Sequence, residues 1–117
     1  KFLCLGYLDM ALFDELPEAK RSEFMKACYE QCGPFRASGR VIAEEGLQHI
    51  SLAKTIRPRK GKPVVTDGPF VETKEQIGSY FIVESESIEE AIEVASLHPA
   101  ARCGEEYGFG IEVRPIQ

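Results

Sequence analysis
Apolar positions along the chain follow two repeats, one of two residues and one of three to four, and their order predicts the fold. KFLCLGYL at the start is apolar on both alternating sets, with Phe2, Cys4 and Leu8 on one and Leu3, Leu5 and Tyr7 on the other. A strand patterned this way expects cover on both faces. Asp14, or the turn after it, opens a helix that tolerates Pro17 in its first turn. Phe24, Cys28, Cys32 and Phe35 then recur at helical spacing, and Gly39 ends the segment. VIAEEGLQ reads as a short strand interrupted at Gly46. LAKTIRP and KPVVTD flank the turn RKGK as a β-hairpin. IGSYFIVES is a second strand with two apolar faces. Ser87, with Glu90 three residues on, forms a capping box. Behind it Ile88, Ala91, Ile92 and Ala95 make an amphipathic stripe that Pro99 closes. FGIEVRPI is a last strand, with Phe109, Ile111 and Val113 on one face and Glu112 and Arg114 on the other.

The order is strand, helix, strand, inserted hairpin, strand, helix, strand. It predicts an α+β domain with the split βαβ arrangement of the ferredoxin-like fold. Each helix has a single apolar stripe, so both must cover the same face of the sheet. The other face would hold Leu3, Leu5, Tyr7, Tyr80 and Ile82 with nothing over them. A homodimer through that face is the expected remedy, burying on the order of 2,000 Å² in total.

Length and charge narrow the function. A chain of 117 residues suits one domain, residues 1–117. Its net charge of −5 argues against a nucleic-acid partner, which needs a basic surface. No apolar run reaches the ~20 residues that span a bilayer, so no membrane association is expected. KFLCLGYL is too short for a signal peptide and has no cleavage-type ending. The four cysteines, Cys4, Cys28, Cys32 and Cys103, match no zinc spacing and read as small core hydrophobes of a reducing cytoplasm. No disulfide, metal or other cofactor is expected, and neither histidine is placed to hold haem. His98 stands at the end of the second helix, where the dipole favours it. The basic cluster Arg57, Arg59, Lys60 and Lys62 reads as a solvated hairpin tip, with an anion site as the alternative.

The densest candidate chemistry is VVTDGPFVETKEQIG, residues 64–78. Asp67 could accept backbone N–H bonds across the turn that Gly68 permits, with Phe70 anchoring the loop in the core. That makes the stretch a clamp. Alternatively the clamp presents its side chains at the mouth of a cleft, where desolvation raises a carboxylate pKa and suits Asp67 to general-base work. The corresponding ligand set is Asp67, Phe70, Glu72, Lys74, Tyr7, Tyr80 and Arg114, with Lys74 holding an anionic group.

The run DGPFVETKEQIGSYFIV, with EEGLQ before it and EEAIEVASLHPAAR and IEVRPI after it, closely resembles the DGPF-domain proteins, a branch of the YCII-related family. The likeness extends from the first strand to the last. It implies a dimeric α/β-barrel and a link to extracytoplasmic-function sigma factors. The wider group is associated with a His–Asp pair in its cleft, but residues 17–38 contain no histidine, so that pair does not carry over. Two functions follow as expectations. One is a homodimer that binds a small molecule in an accessory or sensory role beside such a sigma factor. The other is a cofactor-free enzyme of isomerase, lyase or monooxygenase type with a cleft carboxylate as base. An interaction protein whose dimer surface is its product is a third.

Overall fold
The computed structural model describes residues 1–117. Strand β1 (Phe2–Asp9) leads into a short helix α1 (Met10–Asp14), whose first turn is capped by Asp9 accepting from the Leu12 N–H at 3.2 Å. Helix α2 (Glu18–Glu30) and the short α3 (Gly33–Ala37) follow, then β2 (Val41–Gly46). The single helix expected through Phe24, Cys28, Cys32 and Phe35 is thus two. Pro34 lacks the N–H that would reach back to Glu30, and its ring clashes there, so the helix stops at Glu30 and restarts with Pro34 in its first turn.

Strands β3 (Lys54–Arg59) and β4 (Lys62–Asp67) pair only with each other. Lys60 and Gly61 turn between them with φ of 51° and 77°, a pair of left-handed residues that matches strand twist. Strand β5 (Glu75–Val83), helix α4 (Ile88–Ala95) and strand β6 (Gly110–Pro115) complete the chain. Ser87 caps α4 by accepting the Glu90 N–H at 3.2 Å, while the Glu90 carboxylate takes the N–H of Glu86 at 3.3 Å.

The main sheet runs β2-β5-β1-β6 and every neighbouring pair is antiparallel. This is the order of a ferredoxin-like α+β domain: two split βαβ units interleave so that the first and third main strands are central. A Cα extent of only 18 Å in the thinnest direction leaves room for one sheet and one helix layer. The β1–β5 register slips between Gly6 and Tyr7, where Gly78 is the extra residue of a bulge.

The core is off-centre. Phe2, Cys4, Phe81 and Val83 pack against Phe35 of α3 and Ala91, Val94 and Ala95 of α4. Helix α2 has no buried residue at all. It is held at its N-terminal half by an aromatic cluster in which Phe24 meets Phe13, Tyr107 and Phe109 with centroids 5.4–5.8 Å apart. One half of the helix layer is therefore packed and the other half spans a void.

Candidate functional site
Beneath α2 lies a cavity of about 690 Å³, within the range of small-molecule pockets. Its floor is the bulged part of β1 and β5, around Gly6, Leu8 and Gly78, and its roof is Met25 and Cys28. Close packing requires glycine in this floor, because a Cβ at Gly6 would run into the Ser79 hydroxyl and one at Gly78 into the Leu8 side chain. Arg21 and Tyr29 both line it from α2, eight residues apart, so it extends roughly 12 Å along that helix. The wall is chiefly apolar with a polar group at each end.

The first polar end is made by Arg36, Glu44 and His98. Glu44 sits opposite Phe81 in the β2–β5 register, so it shares the helix-covered face, where Arg36 Nε donates to its Oε1 at 2.6 Å. That bond uses one of five guanidinium donors. The guanidinium also lies 4.7 Å from the centre of the Tyr29 ring. His98 stacks on Phe81 at 5.0 Å and meets the edge of Phe35 at 4.9 Å. Its Nδ1 accepts the Ala100 N–H at 3.0 Å, which places the proton of the neutral ring on Nε2. Desolvation holds the His98 pKa below the ordinary 6.5; Glu44 opposes that shift and Arg36 adds to it. His98 is not the helix C-terminal residue expected, because α4 ends at Ala95 and the ring instead caps the 3-10 turn Pro99–Ala101. Arg102 takes the C-terminal duty by donating to the Ser96 carbonyl at 3.0 Å.

The second polar end holds Asp14, Arg21 and His49. His49 Nε2 meets Asp14 Oδ2 at 2.7 Å, a His–Asp contact built from the ends of α1 and of the β2–β3 connection rather than from the first long helix. Both ring nitrogens are engaged. Nδ1 accepts the Ser51 N–H at 3.1 Å and also lies 3.0 Å from the Ser51 hydroxyl, so Nε2 carries the proton toward Asp14. With Asp14 on one nitrogen and Ser51 on the other, the ring bridges two segments of the chain. It acts as a latch between α1 and the turn at Ile50–Leu52. Arg21 Nη1 ties down the carbonyls of Asp14 at 2.9 Å and Leu16 at 3.1 Å.

The thiols at the cavity are unreactive in kind. Burial pushes Cys28 up to about 11, helped by Cys103 and Cys32 beside it, and burial raises Cys32 as well. A thiol that holds its proton so tightly is a poor nucleophile.

Among the residues anticipated for the site, Tyr7 and Tyr80 line this cavity; Asp67, Phe70, Glu72, Lys74 and Arg114 do not. Asp67 ends β4 with its side chain 87% exposed and paired to Lys54 Nζ at 2.5 Å. No backbone N–H reaches its carboxylate; the turn is held by the Gly68 N–H on the Ala53 carbonyl at 2.8 Å and the Thr55 hydroxyl on the Gly68 carbonyl at 2.8 Å. Phe70 is exposed rather than anchored in the core, and Arg57 holds it with its guanidinium 4.0 Å from the ring centre and a 2.7 Å bond to its carbonyl. The loop is stapled by buried Gln76, whose amide donates to the carbonyls of Val71 at 2.8 Å and Thr73 at 3.2 Å. Glu72 is exposed, Lys74 Nζ lies 3.9 Å from buried Asp9, and Arg114 pairs with Glu112 on its own strand.

Glu44 and Arg36 have no role in the sequence reading, and His98 has only a helix-end role there. Glu44 carries a usable signal, since an acid on the core-facing set of a strand needs a cation, but the bulge between Val41 and Ala43 hides that parity. His49 and Asp14 are 35 positions apart and leave no local trace.

A ferredoxin-like domain with a ligand-sized cavity between one helix and the sheet is the class that the fold and site define. The YCII-related domain matches the chain over residues 1–116, and the chain belongs to that family. It is also similar to the uncharacterised protein R00369 of Rhizobium meliloti (strain 1021), with 42% identity over 58 residues. That alignment covers 50% of this chain and 47% of the relative, so it spans about half the length of each. No helix is long and apolar enough to cross a membrane.

Proposed function
We propose that this YCII-related domain binds a small, mainly apolar or aromatic molecule in the cavity beneath α2, with an anionic or hydrogen-bonding group of the ligand meeting Arg36. The single observation that carries this reading is a 690 Å³ space under a helix that buries none of its own residues. The apolar walls of a space that size make few contacts with each other, and a ligand lying between them would supply packing contacts. The free guanidinium donors of Arg36 and the Nε2–H of His98 supply direction. Binding is favoured over thiol-based turnover because burial keeps Cys28 and Cys32 protonated. A chiefly apolar cavity with a cationic end fits an accessory or sensory role beside an extracytoplasmic-function sigma factor.

The reading includes a homodimer of α/β-barrel type through the helix-free face. Leu3, Leu5 and Ile82 alternate with the core residues and stay half-buried on that face, where Arg114 stands opposite Leu3 and Glu112 opposite Leu5 across the β1–β6 ladder. The test is a thermal-shift screen of small aromatic acids against the parent and Met25→Trp, which fills the roof. Ligands should raise the parent melting temperature and leave Met25→Trp unmoved. Equal shifts in both would place the binding site elsewhere.

A further inference from the structure
The hairpin β3–β4 is amphipathic, and nothing in its own chain covers the apolar side. Cross-strand pairing sets Ile56 opposite Val65 and Pro58 opposite Pro63 on one face, with Arg57 opposite Val64 and Arg59 opposite Lys62 on the other. At its base the basic face turns toward the rest of the chain, since Thr55 on that face is buried and Arg57 covers Phe70, while Arg59, Lys60 and Lys62 at the tip are exposed. The apolar face therefore points outward, with Ile56 64% and Val65 60% exposed. A two-stranded ribbon is marginal in water by itself and needs a surface to pack on. Pro58 and Pro63 carry no N–H, which blunts both edges near the tip and leaves the face as the means of docking.

A complementary surface exists on the same chain. Between α4 and β6 runs an apolar groove of about 440 Å³ lined by Ile88, Ile92, Ile111 and Val113. Glu89 and Glu93 each follow one of its isoleucines on the helix. Charge divides the same way. The hairpin strands and their turn hold five basic residues and one acidic, whereas the remaining chain holds nine basic and eighteen acidic. Such a body repels nucleic acid and anionic lipid but attracts the arm of another copy.

We propose that the β3–β4 arm of one copy docks into the α4–β6 groove of a second copy, with Ile56 and Val65 against Ile88 and Ile92 and with the long side chains of Arg59, Lys60 and Lys62, exposed at the tip, reaching round the arm's end to Glu89 and Glu93. This contact goes beyond pairing through the helix-free sheet face and uses other residues.

Sedimentation equilibrium tests it on four proteins besides the parent. Ile56→Asp with Val65→Asp, and separately Arg59→Glu with Lys62→Glu, should each weaken self-association by about tenfold or more. All four arm positions are exposed, so circular dichroism should stay that of the parent. Adding Glu89→Lys and Glu93→Lys to the Arg59→Glu, Lys62→Glu protein should restore association. Parent-like association by both arm variants, or no recovery in the charge-swapped protein, overturns the proposal. Leu5→Arg separates the two interfaces: if it alone abolishes association, the sheet-face dimer stands and the arm contact falls. If only the arm variants do so, the arm contact stands and the sheet face is the wrong surface.

Discussion

Phe35→Ala and Phe24→Ala remove the same side chain from the two halves of the helix layer, and the structure predicts unequal costs. Phe35 is fully buried, 4.7 Å from the Phe81 ring and 4.9 Å from His98. Truncation there loses the transfer energy of a whole phenyl group and leaves a void in the packed half, about 3–5 kcal/mol. Phe24 is only half-buried, on a helix that spans existing space, so its loss exposes less and creates no new sealed cavity. Its cost should be about 1–2 kcal/mol. For a domain of this size each kcal/mol moves the melting temperature by roughly 4 °C. Phe35→Ala should therefore melt about 12–20 °C below the parent and Phe24→Ala about 4–8 °C below. Urea unfolding of the three proteins, compared at a common slope, measures the difference directly. Equal losses, or a larger loss for Phe24→Ala, would mean that α2 is packed like α3 and α4 and that the hollow beneath it closes in solution.

Three further outcomes follow from single side chains. His98 has a depressed folded-state pKa, so the unfolded chain takes its proton first and stability falls as pH drops below about 6.5, by up to ~1.4 kcal/mol per pH unit. His98→Asn keeps an acceptor for the Ala100 N–H, and its melts between about pH 8 and 5 should show a shallower acid loss; an unchanged slope assigns the titration to another group. Asp67→Asn should alter stability by no more than about 0.5 kcal/mol in thermal melts, because its one partner, Lys54, is an exposed pair, and a loss several times larger would restore the clamp. Cys28, with a pKa of about 11, should be alkylated by iodoacetamide at pH ~8 far more slowly than a small free thiol, and a rate equal to that thiol's would contradict its burial.

The sheet was legible because its strands carry long apolar runs whose period survives the β1–β5 bulge. Helix α4 was legible for the same reason, with Ser87 and Glu90 marking its start. The break between α2 and α3 was written in Gly33 and Pro34, yet the spacing of Cys28, Cys32 and Phe35 continues across it and masks the stop. The site was less legible than the fold. Tyr7 and Tyr80 line the cavity from central strands, although alternation alone assigns both to the helix-free face. Asp67, Glu72 and Lys74 drew attention through local density of charge, but charge density in sequence is what a solvated loop also has. The polar ends of the cavity are assembled across long separations, Arg36 to Glu44 to His98 and Asp14 to His49, and only the fold brings them together. How loosely α2 sits on the sheet is likewise a property of packing, which no window of residues encodes.

The central claim is that the space between α2 and the sheet is a ligand site. A high-resolution crystal structure of the protein as purified from its expression host, without added ligand, tests it most directly. The account predicts continuous non-protein density lying along α2, with its polar end within hydrogen-bond distance of Arg36 or His98 Nε2. Density instead beside Asp67 and Lys74, with Met25 and Cys28 collapsed onto Gly6 and Gly78, would contradict it.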